Sequence, residues 1–205
     1  MITLRRFRRI EMALRQAGYA PIIEWSENVL PPATAEAFAR EAAYIVCNSG
    51  FRNSIAVPIF ERCMAALKNG QSAATEFGHA GKCQAIDQIW TERESLFAAY
   101  QGEEDKISFL RTLPWIGKIT SYHLEKNLGG DYAKPDVHME RLARRDKTTT
   151  ERLCRRLARE TGFRVATIDT IMWRSCADGL LNSALYEMEG WTAAFRPNEF
   201  FARQD

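Results

Sequence analysis

Leu110–Arg145 reads LRTLPWIGKITSYHLEKNLGGDYAKPDVHMERLARR, and it contains two unlike pieces. The first, Leu113-Pro114-Trp115-Ile116-Gly117-Lys118, is a tight turn between two helical patterns, punctuated by a proline and a glycine. A turn that opens a helix can present backbone N–H groups, aided by the helix dipole, to a phosphate oxygen. The second piece delivers one carboxylate, Asp136, after Pro135 and at the start of a new helical pattern. Proline fixes an extended approach there, and the helix start favours the negative charge. Asp136 lies seventeen residues after Ile119.

In this order and near this spacing, the two pieces resemble the helix-hairpin-helix (HhH-GPD) DNA glycosylase superfamily, which includes endonuclease III and the 8-oxoguanine glycosylases. Its members carry L-P-G-V-G-x-K-T-A followed by an Asp in V-D-x-H. The corresponding residues are Leu113, Pro114, Trp115, Ile116, Gly117, Lys118, Ile119, Thr120 and Ser121, then Pro135-Asp136-Val137-His138. The resemblance spans residues 35–180, with its specific signal in 110–145. It implies an all-α fold of two helical lobes with a DNA-binding cleft between them. Residues 33–131 would form a six-helix lobe carrying the hairpin. Residues 1–32 with 132–205 would form the second lobe, carrying the catalytic acid.

The same resemblance assigns roles. Asp136 would be catalytic: breaking an N-glycosidic bond builds positive charge on the sugar, which a carboxylate near C1′ stabilises while it orients or deprotonates a water. The competing reading makes Asp136 a helix N-cap only. Bifunctional relatives carry a lysine at position 119, where it attacks C1′ and later nicks the strand. Ile119 cannot do this, and Lys118 is turned about 100° away on a helix, so the reading is a monofunctional glycosylase that leaves an abasic site. The alternatives are a bifunctional glycosylase/AP lyase, or a non-catalytic DNA-binding member of the fold.

Ile119 and His123 share a helix face at i, i+4, with Tyr122 beside them, and the resemblance places these three in the pocket for the extruded base. A lone histidine also serves structure. Trp115, Ile116, Gly117, Lys118 and Thr120 would face DNA at the hairpin, and His138 would touch the backbone. Trp115 departs from the family's glycine; its ring either stacks on a sugar or base or covers a seam between lobes. In relatives the hairpin carbonyls hold a monovalent cation, and the matching carbonyls for K+ or Na+ belong to Arg111, Leu113 and Ile116. The loop at Asn48-Ser49-Gly50-Phe51-Arg52 resembles one whose side chain fills the gap left by the flipped base. Since the plug position falls near Gly50, the filler would be Asn48, Phe51 or Arg52; the alternative is a polar turn with a capping asparagine.

Composition fits an ordinary globular protein, with 46% hydrophobic and 26% charged residues. No apolar run approaches the roughly 20 residues that span a bilayer, and the N-terminus lacks a secretory signal's apolar core. The expected place is the cytoplasm, associated with the nucleoid through DNA, and the expected state a monomer. The five cysteines form no C-x-x-C, which predicts reduced thiols. After Cys176 there is none, so the iron–sulfur loop of many relatives is absent. Net charge is only +2, yet Met139–Val165 carries nine basic residues against four acidic. Arg5, Arg6, Arg8 and Arg9 form a second group. Any one arginine reads equally as part of a solvated helix face, but two clusters flanking the hairpin motif favour a polyanion partner, which the resemblance implies is double-stranded DNA containing a damaged or modified base.

Elsewhere the pattern predicts a helix over 4–17 stopped by Gly18, and an extended connector over 19–33. Thr34 should cap a helix to about Cys47 with Glu36 and Glu41 on its wet side, and a further helix runs over 54–68. Two more fall within 72–100, with Gly78 and Gly81 between them and Trp90 in the core, and another over 103–111. After Asp136 a helix should run to Arg145 and break at Asp146-Lys147-Thr148. Thr148-x-x-Glu151 should then open a basic helix, Thr167 or Asp169 the last long one, and the aromatic tail should pack back.

Overall fold

The computed structural model describes residues 1–203 of the chain. It is all-α: the described residues contain no strand, only an isolated bridge between Leu181 and Phe195. The chain divides into two compact units, Met1–Val29 with Gly130–Asp205, and Leu30–Gly129.

The discontinuous unit starts with α1 (Leu4–Leu14), capped by the Thr3 hydroxyl. Phe7, Ile10 and Leu14 recur at helical spacing and are fully buried, whereas Met12 falls off that face and is 60% exposed. Gly18 at φ 86° ends a wide π turn, and the chain re-enters a helix at once, α2 (Ala20–Asn28). The connector expected over 19–33 is therefore corrected to a helix followed by a short extended segment. Pro21 lies in the first turn of α2, where its missing N–H costs no hydrogen bond.

Leu30–Gly129 contains α3 (Ala35–Asn48), α4 (Asn53–Lys68), α5 (Ala80–Thr91), α6 (Arg93–Gly102), α7 (Lys106–Leu110) and α8 (Thr120–Asn127). The hydroxyl of Thr34 caps α3, as its position before AEAF predicts. α3 is the centre of this unit, and its alanines (35, 39, 42 and 43) let α4, α5 and α6 approach closely. Phe38 packs on the rings of Phe97 and Tyr100, and Ile86, Ile89, Leu110 and Leu124 complete the core. Each such burial contributes about 1.5–3 kcal/mol. Glu41 is not on the wet side: it is half-buried, accepts from Asn127, and burial pushes its carboxyl up. Gly81 lies inside α5, not between helices, and Trp90 is half-buried against the core. α7 is shorter than the acids at 103–105 suggest, because Asp105 caps it instead of lying within it.

The chain then returns to the first unit with α9 (Val137–Arg145), α10 (Thr150–Thr161), α11 (Val165–Ala177), α12 (Ser183–Glu189), α13 (Trp191–Ala194) and α14 (Pro197–Phe201). The cap of α10 is Thr149, one residue later than the Thr148 expected; Thr149 accepts the N–H of Arg152. α11 starts at Val165, so Thr167 and Asp169 lie fully buried inside it and do not open it. α11 is buried almost all round and carries the unit's core, with α1, α2, α9 and α10 against it. The break after Arg145 is real: Lys147 has φ 54°. Asp146, buried there, accepts the N–H of Ile2 and the hydroxyl of Tyr186, each at 2.6 Å. The tail does pack back, with Phe200 fully buried and Trp191 stacked on Phe195 at 4.5 Å. Among the described residues no helix is long and apolar enough to cross a membrane.

Candidate active site and nucleic-acid interface

The hairpin lies in Leu30–Gly129, between α7 and α8. Leu113 and Ile116 are buried and anchor it, and the N–H of Ile116 donates to the Leu113 carbonyl at 3.2 Å. Trp115 adopts φ 66°, the left-handed conformation that glycine supplies without steric cost. Its ring is 45% exposed and rests on α5: a Cβ added to Gly81 would lie 2.8 Å from that ring. His79, which caps α5, meets the same ring edge-on at 5.1 Å between centroids. Tryptophan thus adopts a turn conformation that favours glycine, and its bulk lies over Gly81.

Thr120 turns inward. Its Oγ1 accepts the N–H of Gly117 at 2.7 Å, so that donor is spent inside the hairpin. Among the described residues the N–H groups of Lys118 and Ile119 find no acceptor, and both residues are exposed. Ile119 is the N-cap of α8 and Lys118 precedes it, so both donors lie at the helix start. Tyr122 and His123 are half-buried one turn on, and the His123 N–H reaches the Ile119 carbonyl at 3.3 Å. The carbonyl set suggested for a cation fits hard-cation chemistry in kind, since it is all oxygen. Leu113 already accepts one N–H and keeps a second lone pair.

The loop between α3 and α4 is held by a residue that local patterning did not reveal. Lys82 of α5 is only 2% exposed; its ammonium donates to the carbonyls of Cys47 and Ser49 and lies 4.4 Å from the centroid of the Phe51 ring. Burial pushes its pKa below the usual lysine range. Phe51 also meets Phe77 edge-on, which leaves it fixed and partly exposed; Asn48 is half-buried and Arg52 exposed. Phe77 in turn approaches His79, so an aromatic row links this loop to Trp115 within one unit.

Asp136 lies in the other unit, at the N-cap of α9. Oδ1 accepts the N–H groups of His138 and Met139 at 3.0 and 3.1 Å. Oδ2 lies 3.3 Å from the ammonium of Lys134, with both side chains about one-seventh exposed (13% and 14%). The turn is clamped from below. The N–H of Lys134 donates to Oδ1 of Asp169 at 3.1 Å, the Lys134 carbonyl accepts the N–H of Asp136, and the Lys134 ammonium lies over the Trp173 ring. Cys176 is a neighbour; burial first, and the Asp136 charge in addition, push its thiol up to about 12. Nδ1 of His138 is 2.8 Å from Oγ of Ser183, which is itself buried.

No family model and no curated protein matches the sequence. In structure, the chain is similar to the 8-oxoguanine DNA glycosylase of Thermotoga maritima. The TM-score is 0.61 at 16% identity, covering 93% of this chain and 100% of that one. The fold is that of a helix-hairpin-helix DNA glycosylase.

Within this glycosylase fold the predicted residues fall into three groups. Trp115, Ile116, Gly117, Lys118, Ile119 and Thr120 form the hairpin, with Tyr122 and His123 on the helix after it. Asn48, Ser49, Phe51 and Arg52 form the loop that Lys82 holds, and Asp136 with His138 forms the third group. Sequence reasoning missed Lys82, Lys134, Asp169 and Ser183. The one local signal was the Lys-Pro-Asp order at 134–136, which puts a cation two residues from the acid.

Proposed function

We propose that this chain is a DNA glycosylase that draws one damaged or modified nucleotide out of duplex DNA and hydrolyses its N-glycosidic bond with water, leaving an abasic site. The observation that carries the reading is the state of Asp136. One oxygen is pinned by two peptide N–H groups, and the other faces the Lys134 ammonium. Such a carboxylate is held rigidly, and its second oxygen faces developing charge on a sugar or polarises a water once the ammonium is displaced. The glycosylase fold supports the substrate class, DNA, and the Lys118 and Ile119 N–H groups are suited to a phosphate oxygen.

Ile119 supplies no nucleophile, which supports hydrolysis without strand nicking. Ile119, Tyr122 and His123 form the proposed base pocket. Asn48, Phe51 or Arg52 fills the vacated stack, and His138 contacts a phosphate through its remaining ring nitrogen. A monovalent cation on the carbonyls of Arg111, Leu113 and Ile116 would steady the hairpin. The enzyme works as a monomer inside the cell.

The experiment is a panel of single-lesion duplexes scored for alkali-labile abasic products, with 8-oxoguanine first because the structural neighbour is named for it. Asp136→Asn should lower base release by about 10²–10³-fold on whichever duplex is cleaved. Release that survives this substitution would remove Asp136 from the chemistry. A borohydride-trapped adduct on the same duplex would replace hydrolysis by an amine mechanism.

A further inference from the structure

We infer that Lys134 is an exchangeable phosphate ligand: it covers Asp136 in the free protein, passes to a DNA backbone phosphate in the complex, and thereby uncovers the carboxylate. This rests on the glycosylase reading above.

Asp136 has no unengaged oxygen in the free protein. Oδ1 serves the cap of α9, and Oδ2 faces the Lys134 ammonium at 3.3 Å. A cation at that distance offsets most of the field that the carboxylate would exert on a sugar cation. The pair as it stands is therefore an ineffective electrostatic catalyst, and one partner has to move. Asp136 is tied by two peptide N–H groups at the start of a helix. Lys134 is fixed through its backbone, its N–H by Asp169 and its carbonyl by the Asp136 N–H, whereas its ammonium has only the ion pair and the Trp173 face. Its four-carbon stem is the mobile part, ending in a point charge that can swing between anions.

The surroundings favour exchange. The Lys134 ammonium lies over the Trp173 ring at 4.9 Å, and the Arg174 guanidinium lies over the same ring at 4.8 Å. Arg174 has its own acid, Asp178, at 3.5 Å, so a second cation lies beside the Lys134 ammonium on that ring. The incoming ligand supplies the competitor. A nucleotide whose C1′ is brought to Asp136 necessarily carries its own phosphates beside that sugar. The ammonium can pass to one of them without being stranded, because the aromatic face offers it a partner along the way.

The test is a binding cycle that needs no catalysis. The parent, Lys134→Met, Asp136→Asn and the double variant are titrated across a salt series with a duplex carrying one tetrahydrofuran abasic-site analogue. Lys134→Met should weaken binding and reduce the log–log salt slope by about one. Asp136→Asn should tighten binding in the parent, where it releases Lys134, and do so at least about threefold less in the Lys134→Met background. Lys134→Arg should preserve the slope. Additive effects of the two substitutions, or a slope that Lys134→Met leaves unchanged, would overturn the exchange. If Lys134→Met unfolds, Lys134→Gln replaces it in the same cycle. The outcomes separate from those of the proposed activity. Base release with additive binding removes the exchange alone; coupling without base release from any duplex removes the activity alone.

Discussion

The hairpin at Leu113–Thr120 and the turn at Lys134–Met139 both bring the chain into a helix, yet they are held in opposite ways. The hairpin depends on backbone shape. Two buried apolar side chains anchor it, a tryptophan sits in a glycine's conformation, and its spare donors are peptide N–H groups. The turn depends on side-chain identity, since Asp169, Lys134, Asp136, His138 and Ser183 each hold or are held by a specific polar atom. The difference bears on substitution. A backbone-defined element accepts a foreign side chain wherever φ and space allow it, whereas an element wired through side chains is changed by any single replacement.

The largest effect that can sharpen this contrast lies beside the hairpin. On α8, Glu125 is 4% exposed and accepts the Tyr100 hydroxyl at 3.0 Å; burial raises its carboxyl to about 7, from a usual 4.5. The folded protein therefore keeps a proton there that the unfolded chain releases at lower pH. The stability this provides is complete below about 4.5 and is lost as pH rises through about 7. Glu125→Gln keeps an acceptor for Tyr100 and removes the ionisation. It should gain up to about 3 kcal/mol relative to the parent at pH 8 and little at pH 4. Denaturant unfolding at the two pH values checks this, and identical pH profiles for parent and variant would contradict it.

The next effect is steric. Gly81→Ala places a methyl against the Trp115 ring and should cost about 1–3 kcal/mol of stability. DNA affinity should fall with it, because the turn beside the Lys118 and Ile119 N–H groups is displaced. Adding Trp115→Gly should restore both, as a hairpin defined by backbone requires; affinity that stays low after stability returns would show that the indole itself contacts DNA. The smallest effect belongs to the turn. Ser183→Ala removes the partner of His138 Nδ1 and should weaken duplex binding by about 1 kcal/mol, roughly fivefold, with thermal stability little altered. An unchanged affinity would take His138 out of the interface.

The sequence disclosed the all-α class, the Thr34 cap and the order of hairpin and acid, because each is written in residues a few positions apart. It missed α2, since the three prolines at 21, 31 and 32 read as a break although Pro21 occupies the one turn of a helix that tolerates it. The cap of α10 was displaced by one because three consecutive threonines, 148–150, offer the same chemistry. Thr167 or Asp169 reads as a helix start, since nothing local distinguishes an acid capping its own helix from one buried to hold Lys134, 35 residues earlier in the chain. Lys82 failed for the same reason: its partners lie 33 and 35 residues away. Contacts at such separations leave no periodicity to read.

The seat of Trp115 on Gly81 also couples two positions that lie 34 residues apart in the chain. A side chain at 81 and the indole at 115 compete for one space, so the effect of a substitution at either depends on which residue the other carries.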